Sequence, residues 1–155
     1  MSRRAFMTYD IENQIADTEG KTAGKVYEKE IKITSTELLA LRASPKTLVA
    51  APGPDKVLQF MGAVGFLDYN STTYTGNGDL TVNYTNNSGQ AVSDSVAGSA
   101  LFHQVDDCYE EFAINSAETE LTVNAALVLV EASGEATVGD SPITIKIFYR
   151  ILDFS

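Results

Sequence analysis

Ile143-Thr144-Ile145-Lys146-Ile147-Phe148-Tyr149-Arg150-Ile151 is the stretch on which the fold turns. Successive side chains of an extended chain point to opposite faces, so Ile143, Ile145, Ile147, Tyr149 and Ile151 share one face. A helix would scatter the same residues around its axis. The segment reads as a strand with one face against a core, and its partners should carry the same period. Leu80-Thr81-Val82-Asn83-Tyr84 does. The strong turn Asn86-Asn87-Ser88-Gly89 follows it, and Ala91-Val92-Ser93 begins the return. Ala125-Ala126-Leu127-Val128-Leu129-Val130 is almost wholly apolar, which predicts a strand that is curved or buried on both sides. Leu121-Thr122-Val123 reads as a further short strand.

Towards the N-terminus, Val26, Ile31 and Ile33 with interleaved charges predict a first strand. Thr34-Ser35-Thr36-Glu37 supplies capping hydroxyls ahead of Leu38, Leu39 and Leu41, and Pro45 blocks extension, so one short helix of about two turns is expected there. Thr47–Ala50 and the run from Val57 to Tyr69 flank Pro52-Gly53-Pro54-Asp55, as two strands around a tight turn. Gly62 and Gly65 predict a bulge or bend in the second. Residues 95–118 fit neither period, and a short helix over Asp106–Phe112 is the expectation. Seven to nine strands with one short helix make residues 26–155 a single all-β domain, an antiparallel β-sandwich or barrel. Residues 1–25 differ. Phe6, Met7, Tyr9, Ile11 and Ile15 are scattered among polar residues without a sustained period, and Gly20 and Gly24 disfavour regular structure. This is the pattern of an extended N-terminal arm whose apolar side chains dock on a partner.

Charge excludes several roles. The 155 residues hold 11 Lys+Arg against 21 Asp+Glu, a net charge of −10. Nucleic-acid binding rests on cations displacing counterions from phosphates, and anionic membranes make the same demand, so neither partner is expected. No apolar run approaches the roughly 20 residues of a membrane span. No apolar core of a secretory signal follows Arg3 and Arg4, so synthesis and retention in a cytosol are expected. The Asn-x-Ser/Thr triplets at Asn70, Asn83 and Asn86 then read as turn and strand composition. Residues 1–33 balance six bases with six acids, whereas the 89 residues between Lys56 and Lys146 hold 12 acids and no Lys or Arg. A neutral arm therefore precedes an acidic body.

His103, Asp106, Asp107, Cys108, Glu110 and Glu111 are the one concentration of reactive types. A Cys–His pair could act as nucleophile and base, and His, Cys and carboxylates could hold a transition metal or calcium. No orienting Asn or Asp with an oxyanion site accompanies them, and the EF-hand loop pattern is absent. They read as a solvated acidic face beside a buried small thiol. With a single cysteine and no Gly-rich loop leading to a helix and Lys, the chain is expected to be non-enzymatic, with no catalytic residues, no cofactor and no metal. The seven Tyr and seven Phe fall mostly on predicted strands, which favours core or subunit interface, and the absence of Trp argues against a sugar-stacking module.

Several of these segments together resemble a group of small structural proteins of tailed bacteriophages. They are Ile33-Thr34-Ser35-Thr36-Glu37-Leu38-Leu39-Ala40-Leu41, Thr47-Leu48-Val49-Ala50-Ala51-Pro52-Gly53 leading to Lys56-Val57-Leu58, Leu67-Asp68-Tyr69, Asp79-Leu80-Thr81-Val82-Asn83-Tyr84, Asn124-Ala125-Ala126-Leu127-Val128-Leu129, and Gly139-Asp140 before Ile143–Ile151. The similarity covers residues 33–155 and contains no catalytic residues. It implies a jelly-roll-like sandwich on a virion, a decoration (cement) protein on the outside of a phage head, made in the bacterial host cytoplasm. Its implied partner is the major capsid protein, and a homotrimer follows from copies gathered around a local three-fold. The arm, with Phe6, Met7, Tyr9, Ile11 and Ile15, carries the expected partner contacts. The alternatives are a tail or fibre component, which could be host-binding, or a carbohydrate-binding module.

Overall fold

A computed structural model describes residues 25–76, 78–117 and 120–155. The expected arm, with Phe6, Met7, Tyr9, Ile11 and Ile15, lies outside the described residues apart from Lys25. Among the described residues seven strands form: β1 (Val26–Ile33), β2 (Lys46–Val49), β3 (Lys56–Leu67), β4 (Leu80–Tyr84), β5 (Cys108–Phe112), β6 (Leu127–Glu131) and β7 (Ile143–Asp153). They make two antiparallel sheets, β1-β7-β3-β5 and β2-β6-β4. Residues 91–96 add an irregular eighth strand. They bridge β4 through Asn83↔Ala91 and Leu80↔Val96, and reach the chain beyond β5 through Ser93↔Ile114. Numbering that segment between β4 and β5, the two sheets read 1-8-3-6 and 2-7-4-5, the jelly-roll order. No helix among the described residues is long and apolar enough to cross a membrane.

β7 supplies the core face its sequence promised. Ile143, Ile145 and Ile147 are fully buried, and the face emerges towards solvent through Tyr149 to Ile151. β3 lies beside it, Leu58 opposite Ile151 and Leu67 opposite Ile143. Register shifts between Phe60 and Gly62, where Gly62 takes φ 126°. The extra residue reverses side-chain parity: Leu58 and Phe60 point inward before it, Ala63 and Leu67 after it. Gly65 meets the core differently, because a Cβ there would press on Phe112, Ile145 and Leu101. β6 is buried at all five positions, as its unbroken apolar run implied.

Five expectations need correction. The helix after β1 is a single α-helical turn, α1 (Ser35–Leu38), continued by turns that bury Leu41. Its start was legible: Thr34 caps it, and Glu37 returns a bond to the Thr34 N–H at 2.9 Å. A second one-turn helix, α2 (Gly98–Leu101), sits where no period could be read, so the described residues hold two short helices and not one. Asp106–Phe112 is not helical: Cys108–Phe112 pairs with β3 as β5, because Phe112 is needed in the core opposite Ala63. β2 and β3 do not pair around Pro52–Asp55. The turn carries the chain from one sheet to the other, since β2 finds its partner in β6. Leu121–Val123 forms only one bridge, Val123 to Val57.

Two buried tyrosines tie the layers. The Tyr84 hydroxyl, on β4, donates to the Leu58 carbonyl on β3 at 2.5 Å, and that of Tyr74 donates to the Ser141 carbonyl at 2.5 Å. Gly139, at φ 133°, lies so close over the Tyr74 ring that a Cβ would stand 2.2 Å from it. Gly62 has only its backbone conformation against substitution, the nearest atom to a Cβ being 3.9 Å away. Gly62→Ala is therefore expected to cost about 1–2 kcal/mol from backbone strain alone. Gly139→Ala, which adds a collision, should cost at least twice that, read as the larger fall in Tm by scanning calorimetry.

Candidate interaction surface

The sandwich has two unlike ends. At one, the ends of β1, β3 and β7 marked by Ile33, Leu67 and Ile143 lead into the loops around 34–45, 68–79, 98–107 and 132–142. Asp68, Asp79, Asp106 and Asp107 are exposed here, with Glu135 and Asp140 half-buried, and none of the six makes an ion pair among the described residues. Asp140, Asp107 and Asp79 organise loops instead. Asp140 accepts from Ser71 Oγ at 2.5 Å, Thr72 N at 2.9 Å, Ser71 N at 3.1 Å and Asn70 Nδ2 at 2.9 Å. Those bonds, the Ser71 hydroxyl foremost, hold its pKa below the usual aspartate value. Asp107 accepts from Tyr69 N at 2.8 Å, and Asp79 from Gly98 N at 3.2 Å. Gly139-Asp140 thus closes on residues 70–74 from two sides, glycine against the Tyr74 ring and carboxylate on the turn.

The reactive cluster of the sequence lies at this end. Cys108 is half-buried, its Sγ 3.8 Å from the carbonyls of Ala100 and Leu101, and burial pushes its thiol upward, with Glu110 and Asp107 adding to the shift. A nucleophilic cysteine needs the opposite shift. His103 is exposed in the turn after α2. Among the described residues no three His, Cys, Asp or Glu side chains gather as a metal-binding group. Cys108→Ser and His103→Ala are accordingly expected to leave the fold unchanged, each with a Tm within a few degrees of the parent. Elemental analysis of the purified protein should find less than one equivalent of metal.

At the other end the surface is apolar. Val26, Leu121, Val123, Ile151 and Phe154 are exposed there, held together by the pairs Val26↔Arg150, Leu58↔Ile151 and Val57↔Val123 and by the bond from Phe154 N to the Asp55 carbonyl. Lys56 pairs with Asp153 at 3.6 Å at this end. A groove of about 240 Å³ opens beside it, lined by Phe60, Tyr84, Val92, Ile114, Glu120 and Leu121. Lys25 and the start of β1 lie at this end. Sequence reasoning missed the patch, because Val26, Val123 and Phe154 are far apart in the chain and show no common period. A third surface lies on the outer face of the four-stranded sheet, where Phe66 and Tyr109 stack with centroids 4.7 Å apart and Tyr109 is 70% exposed.

No protein-family model and no curated protein matches the chain. Among solved structures it is similar to a chain of the cyanophage Pam1 capsid asymmetric unit, at 18% identity and a TM-score of 0.41, over 86% of this chain and 95% of that one. It is also similar to a chain of the capsid of Ralstonia phage GP4, at 17% identity and a TM-score of 0.39, over 83% and 84%. A likeness at this level leaves the role of the chain to its own residues.

Two carboxyls should make stability respond to pH in opposite senses. Glu131 is fully buried at the end of β6; one oxygen accepts from Gly78 N at 2.7 Å, and Oε2 has no partner among the described residues. Burial raises its pKa, with the Glu135 charge adding to the effect and Arg42 opposing it. A raised carboxyl favours the folded state when protonated, so its ionisation costs stability as pH rises through its folded value. Glu131→Gln should therefore gain Tm relative to the parent at pH 7 and lose that gain towards pH 4. For Asp140 the lowered pKa stabilises the folded state above the ordinary aspartate value, and the benefit is lost as pH falls. The deficit of Asp140→Asn should be full at pH 7 and shrink below pH 4 in the same series of melts.

Proposed function

We propose that the chain is a virion structural protein that decorates the outside of a phage head and stabilises the capsid. It sits on the major capsid protein by its apolar end, as a homotrimer, with the acidic loops turned to solvent. The observation that carries this reading is the polarity of the sandwich. Five exposed apolar side chains and the start of β1 share one end, while unpaired carboxylates crowd the other. Apolar residues exposed together on one surface mark a contact site, and like charge on the remainder opposes premature association of free subunits. Small contacts repeated around a local three-fold multiply through effective concentration. The strand and turn signatures that resemble phage structural proteins lie in the same domain and support the setting.

Quantitative mass spectrometry of purified virions should find hundreds of copies per particle; a handful would place the protein in the tail. Deleting residues 1–25, or introducing Val123→Asp with Ile151→Asp, should leave a folded sandwich by circular dichroism that no longer co-sediments with heads. Unchanged co-sedimentation of both variants would remove this end from the mechanism. The stacked pair Phe66–Tyr109, exposed on the sheet's outer face, favours one second reading, a host-binding tail or fibre component. Glycan-array binding abolished by Tyr109→Ala would support it, and a silent array together with head-wide antibody label supports the cement role.

A further inference from the structure

The two flanks of the jelly roll are finished differently. On one, β5 runs on into residues 113–115, which bond residues 92–94, and these in turn bond β4, so the sheets are joined. On the other, β1 pairs with β7 alone, and its second edge has no partner among the described residues. Of its eight residues only Ile33 is buried, so the strand overhangs the core. An edge of this length presents a row of backbone donors and acceptors that must bond to water or to another strand. Arg150, on β7 opposite Val26, has a buried Nε without an acceptor among the described residues.

We propose that this edge receives Met7–Glu12 of a neighbouring copy as an added strand. Met7, Tyr9 and Ile11 alternate with Thr8, Asp10 and Glu12, the one run in residues 1–24 with the period of a strand. Its apolar face continues the inward face of β1, beside Tyr27 and Ile31, and its acidic face continues the outward one. That outward face carries Lys32 near one end and faces Arg150 at the other, while Glu28 and Glu30 between them are already served by Lys146 at 3.8 and 3.4 Å. A return onto its own β1 would need residues 13–25 as a hairpin connection, far longer than the two to five residues usual for such loops. The same residues, at about 3.3 Å each, reach roughly 43 Å, well beyond the roughly 26 Å of β1, and so span to an adjacent molecule.

The proposal rests on the preceding reading only in treating the arm as a docking element, and its test needs no virion. Full-length protein and a full-length variant carrying Met7→Asp, Tyr9→Asp and Ile11→Asp are compared by light scattering after size exclusion and by hydrogen exchange at β1. The parent is expected to be an oligomer with protected amides across residues 26–33. In the variant, a monomer should exchange there at least about tenfold faster, with β3, β6 and β7 unchanged. Equal mass and equal exchange would overturn the proposal, as would a monomeric parent with a protected β1, which is the signature of an arm folded on its own chain. A variant that stays oligomeric, with β1 still protected, yet fails to bind heads would sink this inference and leave the decoration role standing.

Discussion

The extra residue in β3 is the constraint on which the sandwich depends. β3 has twelve residues and β7 eleven, and they run together along the whole length of the four-stranded sheet. A strand with unbroken alternation could bury Leu58 and Phe60, or Ala63, Gly65 and Leu67, but not both sets, because they differ in parity. The shift at Met61–Gly62 turns the second set inward, at the cost of a backbone conformation that glycine adopts without strain. Phe112 then finds Ala63 and Gly65 beside it, small enough to leave room for its ring, and β5 can close the sheet. Without the shift, β5 would face a row of side chains pointing away from the core.

From this follows the division of the molecule into two ends. The upper half of the sheet, where parity has been restored, supports long loops whose carboxylates are consumed in holding backbone amides and hydroxyls. Asp140, Asp107 and Asp79 each fasten a turn, so the acidity of this end is a structural device as well as a surface property. In the lower half the second sheet stops short. Tyr84 pins β4 to Leu58, and at that level Ile151 on β7 is exposed while Tyr149, opposite Phe60, is half-buried. Ile151 is thus the exposed end of the core face itself, while Val26 on the sheet's outer face and Leu121, Val123 and Phe154 from neighbouring segments gather around it.

Much of this was readable before folding. The places of β1, β2, β3, β4, β6 and β7, the Thr34 cap, the bulge region in β3 and the full burial of β6 all follow from apolar runs, periods of two, hydroxyl caps and glycine placement. The errors share a cause. In Asp106–Phe112 the charged residues obscure a five-residue alternation, and Phe112 is anchored by partners more than forty residues away in the chain. β2 and β3 looked like a hairpin because a Pro-Gly turn says that the chain reverses, not whether it reverses within a sheet or between two. α2 is a single turn, too short to have a period.

Local order, net polarity and the neutrality of residues 1–33 were thus determined by the sequence alone, because alternation, capping and charge depend on neighbours within a few residues. Tertiary structure decided which strands meet, which flank is sealed and which left open, and that residues as distant as Val26, Val123 and Phe154 share one apolar end. Those outcomes depend on contacts between segments tens of residues apart, and no local pattern encodes a contact whose two halves become neighbours only when the sheets close over the core.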